Sequence, residues 1–170
     1  GVAHLTRRTA LQPEIEPREM LDEIVVMYSM DLEDTEKHLS LTLPSKDPLI
    51  GKADPAKISR VFENLISNAI NYTNPQAEIT VKAWKEGEHL SVENQKVHIE
   101  ISDNGIGIPE QDIPRIFDRF YRAHNSGVNI KGTGLGLSIV KLICDKHDAT
   151  INVRSKLGEG TTFEIIMPAT

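Results

Sequence analysis

The sequence predicts an α+β fold, a two-layer sandwich with helices on one face of a mixed sheet. Apolar residues recur at helical period in three segments and alternate with polar ones in six short ones. The coarse order is α-β-β-α-β-β-loop-α-β-β, so strand pairs and helices are mixed rather than strictly alternating. No Gly-x-Gly-x-x-Gly follows the first strand, which argues against a doubly wound dinucleotide fold.

Residues 1–12 are polar and read as the tail of something larger or as a linker, leaving 13–170 as one domain. Pro17 suits a first helical position, and Met20, Leu21, Ile24, Val25 and Tyr28 continue an amphipathic helix that fades over 31–36. Leu39, Leu41 and Leu43 alternate as in a half-buried strand, and 49–53 is a second short strand. Asp54-Pro55 starts a helix, with Asp as N-cap and Pro at the first helical position; it stops before Asn74-Pro75. Ile79, Val81 and Ala83 form a third strand. Residues 86–96 are a polar connection in which Leu90 and Val92 are candidates to extend a hairpin. Val97, Ile99 and Ile101 alternate into Asp103, and 112–120 is a short helical piece. Residues 135–147 are the most apolar helix, and 150–154 and 161–167 are closing strands.

Composition excludes several function classes. The net charge of −6 argues against nucleic-acid binding. No run approaches the ~18 apolar residues of a membrane span, so no membrane contact is expected of this chain. Cys144 is the single cysteine and excludes an internal disulfide framework; the six histidines lack metal-ligand spacing.

Two glycine motifs carry the chemistry. Asp103-Asn-Gly-Ile-Gly-Ile-Pro109 ends a strand, and Gly132-Thr133-Gly134-Leu135-Gly136-Leu137 opens a helix. Two glycine turns at one sheet rim suggest a mouth for a phosphate-bearing ligand, with helix-start N–H groups as the anion site. By strand parity Asp103 points to the covered side, where an unpaired carboxylate is costly. A turn or capping role explains it; so does accepting from an exocyclic amine such as that of adenine. Gly105 and Gly107 would let backbone approach a base. Thr161 shares parity with Phe163 and reaches the same floor. On the helix from 55, Asn64, Asn68 and Asn71 form a stripe beside the apolar arc of Ile58, Val61, Phe62, Leu65, Ile66 and Ala69. A solvated flank and a set of neutral Mg²⁺ ligands explain that stripe equally well. Arg122, His124 and Lys131 are candidate phosphate partners; plain solvation suffices for Arg119, local core for Phe117 and Phe120. His147 and Cys144 read as buried and inert.

These residues resemble the sensor histidine kinase family. Asn64-Leu-Ile-Ser-Asn68-Ala-Ile-Asn-Tyr72 resembles its N box and Asp103-Asn-Gly-Ile-Gly its G1 box. Ile116-Phe-Asp-Arg-Phe-Tyr-Arg122 resembles the F box, Gly132-Thr-Gly-Leu-Gly136 the G2 box, and Gly158-Glu-Gly-Thr-Thr-Phe163 the last-strand turn. The likeness covers roughly 15–168 in family order. It implies the Bergerat ATP-binding fold, with ATP and Mg²⁺ as ligands and residues 108–131 as an ATP lid. It implies Asn68 as Mg²⁺ ligand, Asp103 as adenine anchor, Asn64 and Tyr72 bordering the triphosphate, and Arg122 as lid arginine. It adds Asn71, Gly105, Gly107, Ile108, Lys131, Gly132, Thr133, Gly134, Leu135, Gly136 and Thr161 to the ATP site, with Asn64 and Arg122 catalytic.

The sequence departs from the family pattern at three places. Asn71 stands where a Lys or Arg is usual. His147-Asp148-Ala149 replaces His-Gly-Gly, so a locally altered turn is expected. No His-Glu-x-x-Thr-Pro phosphoacceptor box is present; by resemblance, 1–12 is the end of a dimerisation helix pair. The chain therefore resembles the catalytic half of a kinase that phosphorylates a histidine on an upstream dimerisation and phosphotransfer domain, whence the phosphate passes to a response regulator. The full-length protein is expected to be a homodimer, membrane-anchored and bacterial, with this portion cytoplasmic and, alone, monomeric. The alternatives are a stand-alone Bergerat-fold ATPase, a nucleotide-sensing regulatory module, and a degenerate module kept for protein contact.

Overall fold

The computed structural model describes residues 13–44, 46, 48–91, 94–119, 121 and 136–169. The chain runs β1 (Glu14–Ile15), α1 (Pro17–Asp31), β2 (His38–Thr42), β3 (Gly51–Lys52), α2 (Pro55–Asn71), β4 (Glu78–Glu86), β5 (Lys96–Asp103), α3 (Gly136–Lys146), β6 (Thr150–Lys156) and β7 (Gly160–Pro168). Five strands form one sheet in the order β2-β4-β5-β7-β6, with β2–β4 parallel and the other pairs antiparallel. The mixed sheet and the α+β class agree with the sequence reading.

Alternation decides which face the helices cover. Ile79, Val81 and Ala83 of β4, Val97, Ile99 and Ile101 of β5, and Phe163, Ile165 and Met167 of β7 are all buried. Their counterparts on α2 are Ile58, Val61, Phe62, Leu65, Ile66 and Ala69, the arc that helical period predicts, and each is at most 3 % exposed. Asp54 caps α2 as expected: its side chain accepts from Lys57 N at 3.2 Å, with Pro55 at the first turn. The face without helices has a small cluster of its own. Trp84 stacks on His98, centroids 5.0 Å apart, and the two His98 ring nitrogens meet Glu86 at 2.7 Å and Glu164 at 3.4 Å.

Three expectations change. The second short strand is only Gly51–Lys52, and it leaves the main sheet to pair with Glu14–Ile15. Strands of two residues carry no readable period. Leu90 does not extend a hairpin; it is exposed in a turn closed by Leu90 N donating to Gly87 O. Val92 lies outside the described residues. The helical piece expected over 112–120 is a 3₁₀ helix at Glu110–Arg115, where Pro114 lacks the N–H an α-helix requires. The altered turn after α3 is present. Asp148 has φ 54°, and Ala149 N closes onto Cys144 O at 2.9 Å.

Candidate functional site

β5 ends at Asp103, paired with Ile79 on one side and Thr161 on the other. Its Oδ1 accepts from Gly105 N at 2.8 Å and from Thr161 N at 3.3 Å. Two amides therefore saturate one carboxylate oxygen. Oδ2 has no partner among the described residues. Burial pushes the Asp103 carboxyl above its ordinary range, and the two amide bonds oppose that shift.

The glycines beside Asp103 meet protein before any ligand. A Cβ on Gly105 would lie 2.6 Å from the Tyr72 carbonyl oxygen and 2.9 Å from both Asp103 Oδ1 and Thr73 Cγ2. Only glycine lets the end of α2 close on the end of β5. Gly107 has φ +75°, and a Cβ there would overlap the Lys156 carbonyl. The loop after Asp103 is thus seated on the β6–β7 turn. Gly158 N donates to Ile106 O at 2.8 Å, and Ile108 N donates to Ser155 Oγ at 2.8 Å.

The asparagine stripe borders this mouth. Asn64 and Asn68 are half-buried, and Asn71 is exposed. A Cβ on Gly136 would sit 3.8 Å from Asn64 Oδ1, so the first residue of α3 lies against Asn64. Tyr72 ends α2 with its N–H on Asn68 O at 3.0 Å. Glu63 lies on another side of α2, where its charge acts on Tyr28 of α1.

Arg122, His124, Lys131, Gly132, Thr133, Gly134 and Leu135, with residues 120 and 122–131 of the expected lid, lie outside the described residues. Just ahead of them, Tyr121 OH donates to the buried Asp112 at 3.2 Å, and the phenol is pushed up to about 12, first by burial and then by that carboxylate. Arg119 is exposed and Phe117 packs edge-on against Phe163. His147 is buried, with Nδ1 donating to Ile143 O and Nε2 accepting from Asp54 N. The Cys144 thiol is fully buried, and burial pushes it to about 11, which suits an inert side chain.

Three residues of this site received no role of their own in the sequence reading: Asn104 and Gly160 stood only inside motifs, and Ser155 was not singled out. Asn104 Oδ1 accepts from Glu78 N at 2.9 Å, tying the turn to β4. Gly160 has φ +124°, and a Cβ there would overlap the Asp103 carbonyl. Ser155 bonds the loop and β7 together. Its signal was available: it is a polar residue at the covered-face parity of Ile151 and Val153.

Residues 53–170 match the histidine kinase-, DNA gyrase B-, and HSP90-like ATPase family. The chain is similar to the sensor protein RprX of Bacteroides fragilis, 33% identical over 95% of this chain and 30% of that protein. Among solved structures it is similar to the mycobacterial sensor histidine kinase MprB, with TM-score 0.78 and 23% identity over 92% of this chain and 97% of that one, a likeness of fold. It is also similar to the histidine kinase ThkA, solved in complex with the response regulator protein TrrA, with TM-score 0.73 and 26% identity over 94% of this chain and 42% of that one. The chain spans 15% to 30% of the length of the curated relatives it first matches.

Proposed function

We propose, for a chain that belongs to the histidine kinase-, DNA gyrase B-, and HSP90-like ATPase family and is a histidine kinase catalytic domain, that it binds ATP with Mg²⁺ and passes the γ-phosphoryl group to a histidine on an upstream dimerisation and phosphotransfer domain. The observation that carries this reading is the Asp103 carboxylate, one oxygen held by two amides and the other without a partner among the described residues, beside Gly105 and Thr161. A single fixed acceptor suits the single amino group of adenine. In the transfer the imidazole nitrogen forms a P–N bond, the bond from the γ-phosphorus to the bridging oxygen breaks, and ADP leaves. The chain's part is positioning and charge neutralisation. Asn64, beside the start of α3, would border the triphosphate with Tyr72. Asn68 would offer a neutral oxygen to Mg²⁺, which neutralises phosphate charge when bound. Arg122 and Lys131 would add charge from the lid. Glu63 faces Tyr28, not Asn64 and Gly136, which supports transfer over a stand-alone ATPase that needs a base for water. ThkA's complex with TrrA supports a response regulator as the next acceptor; a full-length homodimer belongs to the same proposal. Among the described residues no helix is long and apolar enough to cross a membrane. A cytoplasmic position beneath a membrane-anchored parent belongs to the same proposal.

Radiolabelled ATP tests it. With a supplied histidine domain, acid-labile and base-stable label should appear on that domain and not on this chain. Asn68→Ala should lower the transfer rate by at least about 100-fold and abolish the Mg²⁺-dependent gain in nucleotide affinity. Its thermal melt should stay within about 1 kcal/mol of the parent's, because Asn68 lies outside the apolar arc. Stable phosphohistidine on the isolated chain would overturn the reading, and unfolding of the variant would make Asn68 structural.

A further inference from the structure

Resting on that reading of Asp103, we propose that Ser155 is a positioning residue that sets the hydrogen-bond polarity of the base-binding floor. Ser155 stands on β6 directly opposite Thr161 on β7. Its hydroxyl has three partners: Ile108 N at 2.8 Å, Gly160 O at 2.9 Å and Thr161 Oγ1 at 2.8 Å. A backbone carbonyl only accepts, so the single Ser155 proton goes to Gly160. A backbone amide only donates, so Ile108 fills one lone pair. Thr161 must then donate into the other. Every hydrogen-bonding position of Ser155 is used, and the Thr161 proton is spent.

Two consequences follow for the mouth. Thr161, whose amide holds Asp103 Oδ1, is fixed in rotamer and has only lone pairs to offer. Beside Asp103 Oδ2, Thr161 then presents an acceptor and no donor, a polarity matched to an amino group and mismatched to a 6-oxo group. Ser155 also fixes the loop at Ile108, where Gly107 crosses the β6–β7 turn. Removing the Ser155 hydroxyl frees the Thr161 proton for a ligand oxygen and releases the Ile108 amide.

Binding of ATP and of ITP, whose base carries oxygen in place of the amine, is the test, with Asp103→Asn run beside it. Ser155→Ala should lose at least about fivefold in ATP affinity and lose less for ITP, so that the ATP-to-ITP preference shrinks. Thr161→Val, combined with Ser155→Ala, should remove the freed donor and so lower ITP affinity below that of Ser155→Ala alone. Ser155→Thr, which keeps the hydroxyl, should restore the preference. Exchange of the Ile108 amide should speed up in Ser155→Ala alone. A Ser155→Ala protein that melts lower with an unchanged ATP-to-ITP preference would overturn the proposal, reducing Ser155 to a structural bond. Should Ser155→Ala not fold, Thr161→Val decides: an unchanged preference there also overturns it. If Asp103→Asn abolishes ATP binding while Ser155→Ala leaves the preference intact, this inference fails and the nucleotide reading stands. If Asp103→Asn leaves ATP affinity intact, the nucleotide reading itself fails and takes this one with it.

Discussion

Asp103→Asn is expected to give a protein that folds at least as well as its parent and binds ATP on the order of a hundredfold more weakly. The substituted amide keeps a carbonyl oxygen where Oδ1 accepts from Gly105 and Thr161, so the turn retains both bonds. At the Oδ2 position it puts an NH₂ group, which meets the amine of adenine donor to donor. The stability change has a definite sign. Burial raises the folded-state pKa of Asp103 above its unfolded value. The group then contributes most to stability when protonated, below the unfolded pKa, and that contribution is lost as pH rises through the folded pKa. At neutral pH the ionised carboxylate is therefore a burden on the fold that asparagine does not carry. Thermal melts at pH 7 should place the variant above the parent, and the gap should close as pH falls through the carboxylate range. A variant that melts lower at pH 7, or binds ATP undiminished in calorimetry, would contradict this account.

Gly160→Ala should have the largest effect on folding. With φ at +124° the residue occupies backbone space that L-residues rarely adopt, and its Cβ would overlap the Asp103 carbonyl and come within 2.9 Å of Asn104 Cα. The obstacle is backbone on a central strand, which cannot swing aside as a long side chain does. A loss of about 3 kcal/mol or more is expected. Any relaxation must part β7 from β5 beside Thr161, so nucleotide affinity should fall together with stability. Gly158→Ala is the control. Its φ is +83° but no atom lies within 4 Å of the added carbon, so it should cost only about 1 kcal/mol. Urea titration of both variants checks the contrast; equal losses would show that strain, not collision, governs the turn.

The fold was legible wherever a period had room to repeat. The arc from Ile58 to Ala69 and the alternations of β4, β5 and β7 each run over several residues, and each is buried as expected. Glu14–Ile15 was not legible, nor was its pairing with the short strand at Gly51–Lys52, because two residues cannot show a period and only tertiary pairing makes them strands. Asp103 was legible from parity, since a carboxylate in line with Ile99 and Ile101 demands a reason. Gly105 and Gly107 were legible as glycines that something must approach. What approaches them, the Tyr72 and Lys156 carbonyls, depends on contacts distant in sequence. The phosphate end is read from motifs, because residues 122–135 lie outside the described part of the structure.

The small sheet gives the domain a handle. β1 joins β3, and Gly51 bridges to Ala169, which also bonds Gln95 at the start of β5. Asp103 is at the opposite end of that strand, seven residues and about 24 Å away. A segment attached ahead of Glu14 would hold the domain at one end of a stiff β-strand, while the proposed nucleotide mouth lies at the other. The strand is a lever arm. A swing of about 30° at the handle would carry the mouth about 12 Å without breaking a hydrogen bond in the sheet. On the proposed function, delivery of a phosphoryl group would then be controlled by rotation about the attachment point rather than by reshaping the site.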